Sequence, residues 1–401
     1  MARCDTLGVA PYSDRADMLF RAYLTPAWLA TQRAVADWMA EAGMTTRIDA
    51  AGNLIGRYDG TADGPALLIG SHIDSVRDAG RYDGPLGVML GIEAVAALHT
   101  AGRRLPCPIE VIAFGDEEGS RFPAAMLTSR AVAGTLAPTA LAIADPQGVT
   151  LAQALVEAGL SIDRYADARH APALAYLEAH IEQGPVLEAE GRAIGIVTGI
   201  AAQLRYAVSV QGMAGHAGTT TMPLRRDALA AAAEMVLAIE RRAVEAASDL
   251  VATVGRMDVG PGAPNVIPGR VAFTIDVRAG DAAVRDAAAE DILDAIADIA
   301  DRRGLDVAIE RIHDLPASPC DPRLTDLLAD AATAHDPAPR RLVSGAGHDA
   351  MVMAALCPTA MLFIRCTGGI SHNPAEHVSS QDADVALRVM TGFIDRLGDM
   401  L

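Results

Sequence analysis

The sequence predicts an α/β protein of two domains, a layered sheet domain interrupted by a smaller split βαβ module. Two continuous apolar runs, Ala66–Gly70 and Ile109–Phe114, enclose a helical segment at Leu86–Leu98. This spacing is typical of a β-α-β unit whose strands are buried on both faces of a sheet. From about Gly199 the pattern changes to alternating strands and long helices. At 401 residues the chain is also longer than one ordinary domain.

The first predicted element of the sheet domain is an amphipathic helix over residues 26–42. Thr25 and Pro26 form an N-cap and first-turn pair, and Gly43 follows the last helical position. The apolar side chains between them fall on one face: Trp28, Leu29, Val35, Trp38 and Met39. This face is expected to pack on the sheet.

The central part of the chain reads as a compact module with the order β-α-β-β-α-β. Its segments are a strand at 205–210, a helix at 223–247, strands at 250–259 and 270–278, a helix at 281–303 and a strand at 306–312. A buried strand at 361–364 and a helix at 380–397 then show the same pattern of buried strands and amphipathic helices as the first part. We therefore predict an inserted domain over 200–315, with the first domain made of 1–199 and 316–401.

The charge and cysteine content exclude several classes of function. Acidic residues outnumber basic ones by 51 to 33, and no run of Lys or Arg could neutralise phosphates, so nucleic acid and anionic membranes are not expected partners. The N-terminus lacks a basic start followed by an apolar run, and no apolar stretch reaches the roughly 18 residues of a membrane span, which predicts a cytoplasmic protein. The five cysteines show no CxxC pair and are expected to be buried thiols.

Polar clusters directly follow the two buried strands. The first contains His72, Asp74 and, nine residues beyond, Asp83 in an Asp-Gly turn. Imidazole and carboxylate groups at a sheet edge are plausible ligands for a divalent metal, and a hydrogen-bonded loop histidine is the alternative.

The second cluster places three carboxylates, Asp116, Glu117 and Glu118, in a row. Such groups repel one another unless a cation or a shared proton compensates. In an extended backbone Glu117 and Glu118 point to opposite sides, so that one could bind metal while the other acts as a base. An exposed acidic loop is the alternative.

Two further histidines complete a possible binuclear site. His180 lies in a His-Ile-Glu-Gln-Gly run and His372 in an Ile-Ser-His-Asn-Pro run. With the earlier clusters they form a set suited to two adjacent metals, in which one carboxylate bridges: His72, Asp83, Glu118, His180 and His372. The chain contains no GxSxG, Walker, HExxH or GxGxxG motif that would indicate a competing chemistry.

The order of these motifs resembles that of the hydantoinase/carbamoylase branch of the M20 metallohydrolase superfamily. The resemblance spans residues 70 to 377 and rests on the runs GSHIDSV, GRYDGPLGV, DEEGSRF, HIEQGPVLE, GHAGTT, PNVIPGRVAFTIDVR, SGAGHDA and GGISHNPAEH. It implies a catalytic α/β domain that holds two Zn²⁺ or Mn²⁺ ions. It also implies an inserted lid domain that forms a homodimer and closes over the site.

The resemblance assigns roles to the predicted residues. One metal would be held by His72, Asp83 and His180, and the other by Asp83, Glu118 and His372. Glu117 would be the general base, and Asp74 the carboxylate that orients a ligand imidazole.

In the lid, the resemblance implies that His216 reaches across the dimer to the substrate oxygen. It implies that Arg205, Asn265 and Arg278 bind substrate, and two guanidinium groups suit a carboxylate. Gln183 and His348 are further pocket candidates. Where relatives commonly have proline, this chain has Thr221, which is expected to soften the loop without removing His216.

The function implied is hydrolysis of the ureido C–N bond of a small carboxylate. Allantoate, cleaved with release of ammonia and CO2, is the leading substrate. N-carbamoyl-L-amino acids and N-carbamoyl-β-alanine, the substrate of β-ureidopropionases, are the alternatives. A catalytically silent protein that binds a ureido acid is a more distant one.

Overall fold

The computed structural model describes residues 1–401. Its strands are β1 (Thr45–Ile48), β2 (Leu54–Tyr58), β3 (Leu67–His72), β4 (Ile109–Phe114), β5 (Ala175–Ile181), β6 (Ile194–Ile200), β7 (Ala202–Gln211), β8 (Gly215–His216), β9 (Val251–Thr253), β10 (Met257–Gly260), β11 (Val266–Ile267), β12 (Arg270–Ala279), β13 (Asp306–Leu315), β14 (Ser318–Pro319), β15 (Arg340–Ser344) and β16 (Thr359–Ile364). Its α-helices are α1 (Ala2–Leu7), α2 (Pro26–Glu41), α3 (Pro85–Thr100), α4 (Leu127–Ala133), α5 (Leu151–Glu157), α6 (Val186–Ala189), α7 (Ala228–Val244), α8 (Ala282–Arg303), α9 (Pro322–Ala332), α10 (Asp349–Met353) and α11 (Ser380–Asp399). No helix is both long and apolar enough to cross a membrane.

The chain forms two compact units. The larger consists of Met1–Thr198, Cys320–Leu342 and Ala346–Leu401. The smaller consists of Gly199–Pro319 and Val343–Gly345. The chain therefore enters the smaller unit after Thr198, returns to the larger unit at Cys320, and passes through the smaller unit again at Val343–Gly345.

The larger unit is built around a mixed sheet with the strand order β1-β2-β4-β3-β5-β16-β6-β14, in which β15 also pairs with β6. The central strands β4, β3, β5 and β16 are parallel. Every residue of these four strands is buried, as expected for parallel strands covered on both faces. Because parallel strands end at the same edge, the polar segments that follow β3, β4, β5 and β16 meet there.

The three helices predicted in the larger unit, α2, α3 and α11, begin within one residue of the predicted positions. The Thr25 side chain accepts a hydrogen bond from the backbone N–H of Trp28 and caps α2. Helix α3 lies close to the sheet because Gly87 faces it, where an added Cβ would come within 2.1 Å of the Ala179 carbonyl oxygen. All five cysteines are buried free thiols, as predicted.

The smaller unit contains an antiparallel sheet with the order β10-β12-β7-β13, and β9 also pairs with β12. Helices α7 and α8 pack on one face, around a core that includes Met235, Ile239, Phe273, Ile292 and Ile296. With β9 and β10 counted as one strand, this is the strand order of the predicted split βαβ module.

The prediction of one continuous strand over 250–259 is wrong. Thr253 pairs with Asp276, and Met257 pairs with Phe273. The segment from Thr253 to Met257 is therefore one residue longer than the segment of β12 that it faces. The extra residue interrupts the ladder as a bulge and separates β9 from β10. The half-buried positions shift by one residue across Gly255, from Ala252 and Val254 to Met257, as the insertion requires.

Candidate metal centre

The carboxyl ends of β3 and β5 bring two histidines and an aspartate together. His72 is the last residue of β3, and His180 lies one residue before the end of β5. Their Nε2 atoms are 3.5 Å apart. The Oδ1 atom of Asp83 lies 3.1 Å from Nε2 of His180 and 3.7 Å from Nε2 of His72. All three side chains are buried.

The second oxygen of Asp83 faces another group. Nε2 of His372 lies 3.3 Å from Oδ2 of Asp83 and 3.5 Å from Oε1 of Glu118. The ligand atoms of Asp83, Glu118 and His372 lie within 4.8 Å of one another, as do those of His72, Asp83 and His180. Asp83 therefore belongs to both groups and presents one oxygen to each.

These residues fit a divalent cation because their lone pairs face one another. Nδ1 of His180 lies 2.9 Å from the Ile181 carbonyl oxygen, so in the neutral ring this nitrogen carries the proton. Nε2 then turns a lone pair toward Oδ1 of Asp83, which is buried without a hydrogen bond. Two ligands each about 2.0 Å from one tetrahedral ion are separated by about 3.3 Å, close to the distances found here.

Glu117 and Glu118 are held in a crowded acidic environment. Burial raises the pKa of Glu117 well above its ordinary value, although the nearby His72 opposes the shift. Burial and the charge of Asp83 raise the pKa of Glu118 to about 7. Keeping both buried carboxylates charged costs free energy, and a bound cation would offset that cost.

Asp74 links the segments that follow β3 and β4. Its Oδ1 and Oδ2 atoms accept the backbone N–H groups of Glu117 at 3.2 Å and Glu118 at 3.3 Å. Nδ1 of His72 lies 3.6 Å from Oδ1 of Asp74 and 3.2 Å from the Asp74 carbonyl oxygen. Asp74 thus contacts the His72 imidazole, as the resemblance implies, and also positions the two glutamates, a role that the sequence did not indicate.

Asp83 receives further hydrogen bonds from side chains distant in sequence. Nε2 of Gln183 donates to Oδ2 of Asp83 at 2.9 Å, and Oγ of Ser371 donates to the same oxygen at 2.6 Å. Gln183 therefore contacts a candidate ligand. Ser371 was not predicted, although its position next to His372 in the Ile-Ser-His-Asn-Pro run was an available signal.

Glu376 is a second residue that the sequence reasoning missed. Its Oε1 atom accepts the backbone N–H groups of Tyr82 at 2.9 Å and Asp83 at 3.1 Å. The carboxylate lies against Gly80, where an added Cβ would come within 2.1 Å of it. Glu376 therefore fixes the turn that carries Asp83, from almost the other end of the chain.

We expect Glu376→Ala to loosen the Asp83 turn and weaken metal binding. It leaves two buried N–H groups without an acceptor, a loss of about 2–4 kcal/mol in the free energy of unfolding. Thermal unfolding and metal content by elemental analysis measure both effects. Glu376→Gln keeps an acceptor oxygen and is expected to restore most of each. An alanine variant with unchanged stability and metal content would contradict this role.

His348 lies beside the first group. Its ring centroid is 4.4 Å from that of His180 and 5.7 Å from that of Phe363. Burial and the neighbouring His180 hold the pKa of His348 well below its ordinary value, so its imidazole is neutral. This position allows His348 to restrain the ring plane of His180, and direct contact with substrate stays a prediction.

The four remaining candidates lie in the smaller unit, where His216, Arg205 and Arg278 are on strands and Asn265 is in the turn before β11. His216 is exposed on β8, which pairs with β11, and the Asn265 carbonyl oxygen accepts the N–H of Ala217 at 2.9 Å. Arg205 on β7 and Arg278 on β12 both bond to Asp276, with Nε to oxygen distances of 2.7 Å.

The backbone conformation at Thr221 gives no sign of the softer loop that the sequence predicted. Thr221 adopts φ −68° and ψ 150°. Proline fixes φ near this value, so threonine takes the geometry that proline would impose.

A sheet edge that gathers histidines and carboxylates around a shared aspartate is the architecture of a hydrolase. Residues 68–396 match the model described as Peptidase family M20/M25/M40. The chain belongs to this family.

Relatives of known description cover most of the chain. Allantoate deiminase 2 of Glycine max is 41% identical over 96% of this chain and 86% of its own length. The N-carbamoyl-L-amino acid amidohydrolase of Geobacillus stearothermophilus is 44% identical over 89% of this chain and 88% of its own. The crystal structure of a hydantoinase/carbamoylase family amidase from Burkholderia multivorans is 37% identical, with a TM-score of 0.92 over 98% of this chain and 95% of that one.

Proposed function

We propose that this chain is a binuclear metal-dependent amidohydrolase that cleaves the ureido C–N bond of allantoate and releases ammonia and CO2. The observation that carries the proposal is the shared position of Asp83 between two ligand groups, with Glu117 beside them. The identity to an allantoate deiminase over nearly the whole chain supports the choice of substrate.

His72, Asp83 and His180 would hold one cation, and Asp83, Glu118 and His372 the other. Nitrogen and carboxylate ligands suit Zn²⁺ or Mn²⁺. When bound, such a pair supplies polarisation of the substrate carbonyl and lowers the pKa of water to about 7.

Glu117 would move the proton. Its side chain is buried, and one of its carboxylate oxygens lies 4.0 Å from Nε2 of His72. The bond between its backbone N–H and Asp74 fixes the residue at the sheet edge. The carboxylate would accept a proton from the attacking water and return it to the leaving nitrogen, as general base and then general acid.

The smaller unit would act as a lid that recognises the substrate. Arg205 and Arg278 would bind the substrate carboxylate through their planar donor groups, and Asn265 would add a hydrogen bond. In a homodimer formed through this unit, His216 would stabilise the developing oxyanion in the partner chain's site. Closure of the lid would complete the site and exclude water.

A second candidate substrate class is the N-carbamoyl-L-amino acids, favoured by the identity to the Geobacillus relative. Release of ammonia from allantoate, N-carbamoyl-L-methionine and N-carbamoyl-β-alanine, measured after loading with Zn²⁺ or Mn²⁺, separates the candidates. Allantoate is expected to give the highest kcat/KM. Preference for N-carbamoyl-L-methionine or N-carbamoyl-β-alanine would reassign the substrate, and turnover of none of the three would favour a binding protein.

We expect Glu118→Ala to lose one metal per chain. The variant removes a ligand from the group around His372 and leaves the group of His72, Asp83 and His180 intact. Elemental analysis of the loaded protein should fall from two metals per chain to one. Glu157→Ala, at an exposed glutamate at the end of α5, is the control and should keep two. Two metals in the Glu118 variant would count against this residue as a ligand.

A further inference from the structure

Asp276 lies among three donors on one face of the antiparallel sheet. On β12, Asp276 and Arg278 are two residues apart and therefore share a face. The register places Arg205 opposite Asp276 and Gln203 opposite Arg278. Four polar side chains thus form one cross-strand cluster within the smaller unit: Gln203, Arg205, Asp276 and Arg278.

Neighbouring side chains donate hydrogen bonds to both oxygens of the Asp276 carboxylate. Its Oδ1 accepts Nε of Arg278 at 2.7 Å. Its Oδ2 accepts Nε of Arg205 at 2.7 Å, Nε2 of Gln203 at 2.7 Å and an Nη of Arg278 at 3.0 Å. Burial favours the neutral acid, but the hydrogen bonds from the two arginines outweigh it and lower the pKa of Asp276. The group is therefore a carboxylate at neutral pH.

The cluster has a defined net charge. Two guanidinium cations and one carboxylate leave a single positive charge for any ligand that binds there. Asp276 also engages Arg205 through Nε alone, which leaves the Nη edge of this half-exposed side chain for another acceptor. Arg278 is held at both ends, because it also donates to the Gly345 carbonyl oxygen.

We propose that Asp276 determines the charge selectivity of the substrate site, so that it accepts ureido acids with one carboxylate and disfavours those with two. The inference rests on the proposed function, in which Arg205 and Arg278 face the substrate. A single positive charge matches one carboxylate, and a second carboxylate would be repelled by Asp276. Asp276 is thus a positioning and specificity residue that does not itself touch the reacting atoms.

The test compares two ligands that differ only in charge, N-carbamoyl-L-asparagine and N-carbamoyl-L-aspartate. In the wild type we expect kcat/KM to be higher for the asparagine compound. Asp276→Asn removes the negative charge with little change in shape, and should raise the ratio of the aspartate to the asparagine compound by about five- to tenfold, mainly through KM. Asp276→Glu keeps the charge and should preserve the ratio even where absolute activity falls.

Asp291→Asn is the matched control. Asp291 also pairs with an arginine, Arg242, at 2.7 Å, on an exposed helix face of the same unit. The Asp291→Asn variant should leave the ratio of kcat/KM for the two compounds unchanged. A purely structural role for Asp276 would lower kcat/KM for both compounds equally, and that result would overturn the proposal.

Binding measurements separate this inference from the proposed function. Isothermal titration calorimetry with allantoate and both compounds in a Glu117→Gln background reports affinity without turnover. Wild-type binding of allantoate without its hydrolysis would contradict the proposed function alone. An affinity ratio that Asp276→Asn does not change would contradict the inference alone, and failure of allantoate and of both compounds to bind would contradict both.

Discussion

Glu117→Gln is expected to lower kcat by about 10²–10⁴-fold while metal content stays near that of the wild type. The amide keeps the size of the buried side chain and leaves the N–H bond to Asp74 in place, but it can neither accept the water's proton nor deliver it to the leaving nitrogen. Steady-state kinetics on the best substrate and elemental analysis of the same preparation measure the two quantities together.

The control for this variant is Glu157→Gln, at an exposed glutamate at the end of α5. It makes the same chemical change away from the sheet edge and should leave kcat unchanged. Retention of more than about a tenth of wild-type turnover in Glu117→Gln would rule out Glu117 as the general base, because a positioned acid-base group contributes more than that.

His216→Ala is expected to fold and keep its metals while kcat falls by about 10²–10³-fold, the loss typical of deleting one oxyanion donor. His216 is exposed on β8, and its Nδ1 accepts the N–H of Gly218 at 3.1 Å. That bond fixes the ring and leaves Nε2 available as a donor. Removal of an exposed side chain should leave the melting temperature nearly unchanged.

Mixing two inactive chains tests whether His216 acts across a dimer. A heterodimer of His216→Ala with Glu117→Gln would contain one site with both defects and one site with neither. After subunit exchange, activity should return to about half that of the wild type per heterodimer. If native mass spectrometry shows the heterodimer and no activity returns, His216 does not serve the partner's site.

Local sequence patterns predicted the five longest helices and the buried strands β3, β4 and β16 because their signals are local. The apolar run Ile109–Phe114 corresponds to β4 with the same limits, and the Thr25-Pro26 pair marks the start of α2. Hydrophobic period and helix caps depend on neighbouring residues alone. The break between β9 and β10 was missed, and its geometry depends on the pairing of both strands with β12.

The sequence by itself indicated the composition of the candidate site, because polar clusters follow the predicted strands β3 and β4 and recur around His180 and His372. His72, Glu118 and His180 lie at or just beyond strand ends, and parallel strands bring such positions to one edge. Motif resemblance added the lid residues. None of this specifies which side chains contact one another.

Only the tertiary structure decided how the site residues are held. Glu376 reaches the backbone of Asp83 from 293 residues away, Asp74 binds the N–H groups of both glutamates, and Asp276 joins Arg205 to Arg278 across two strands. Such contacts depend on strand register and on the packing of distant segments, which residue spacing along the chain does not encode.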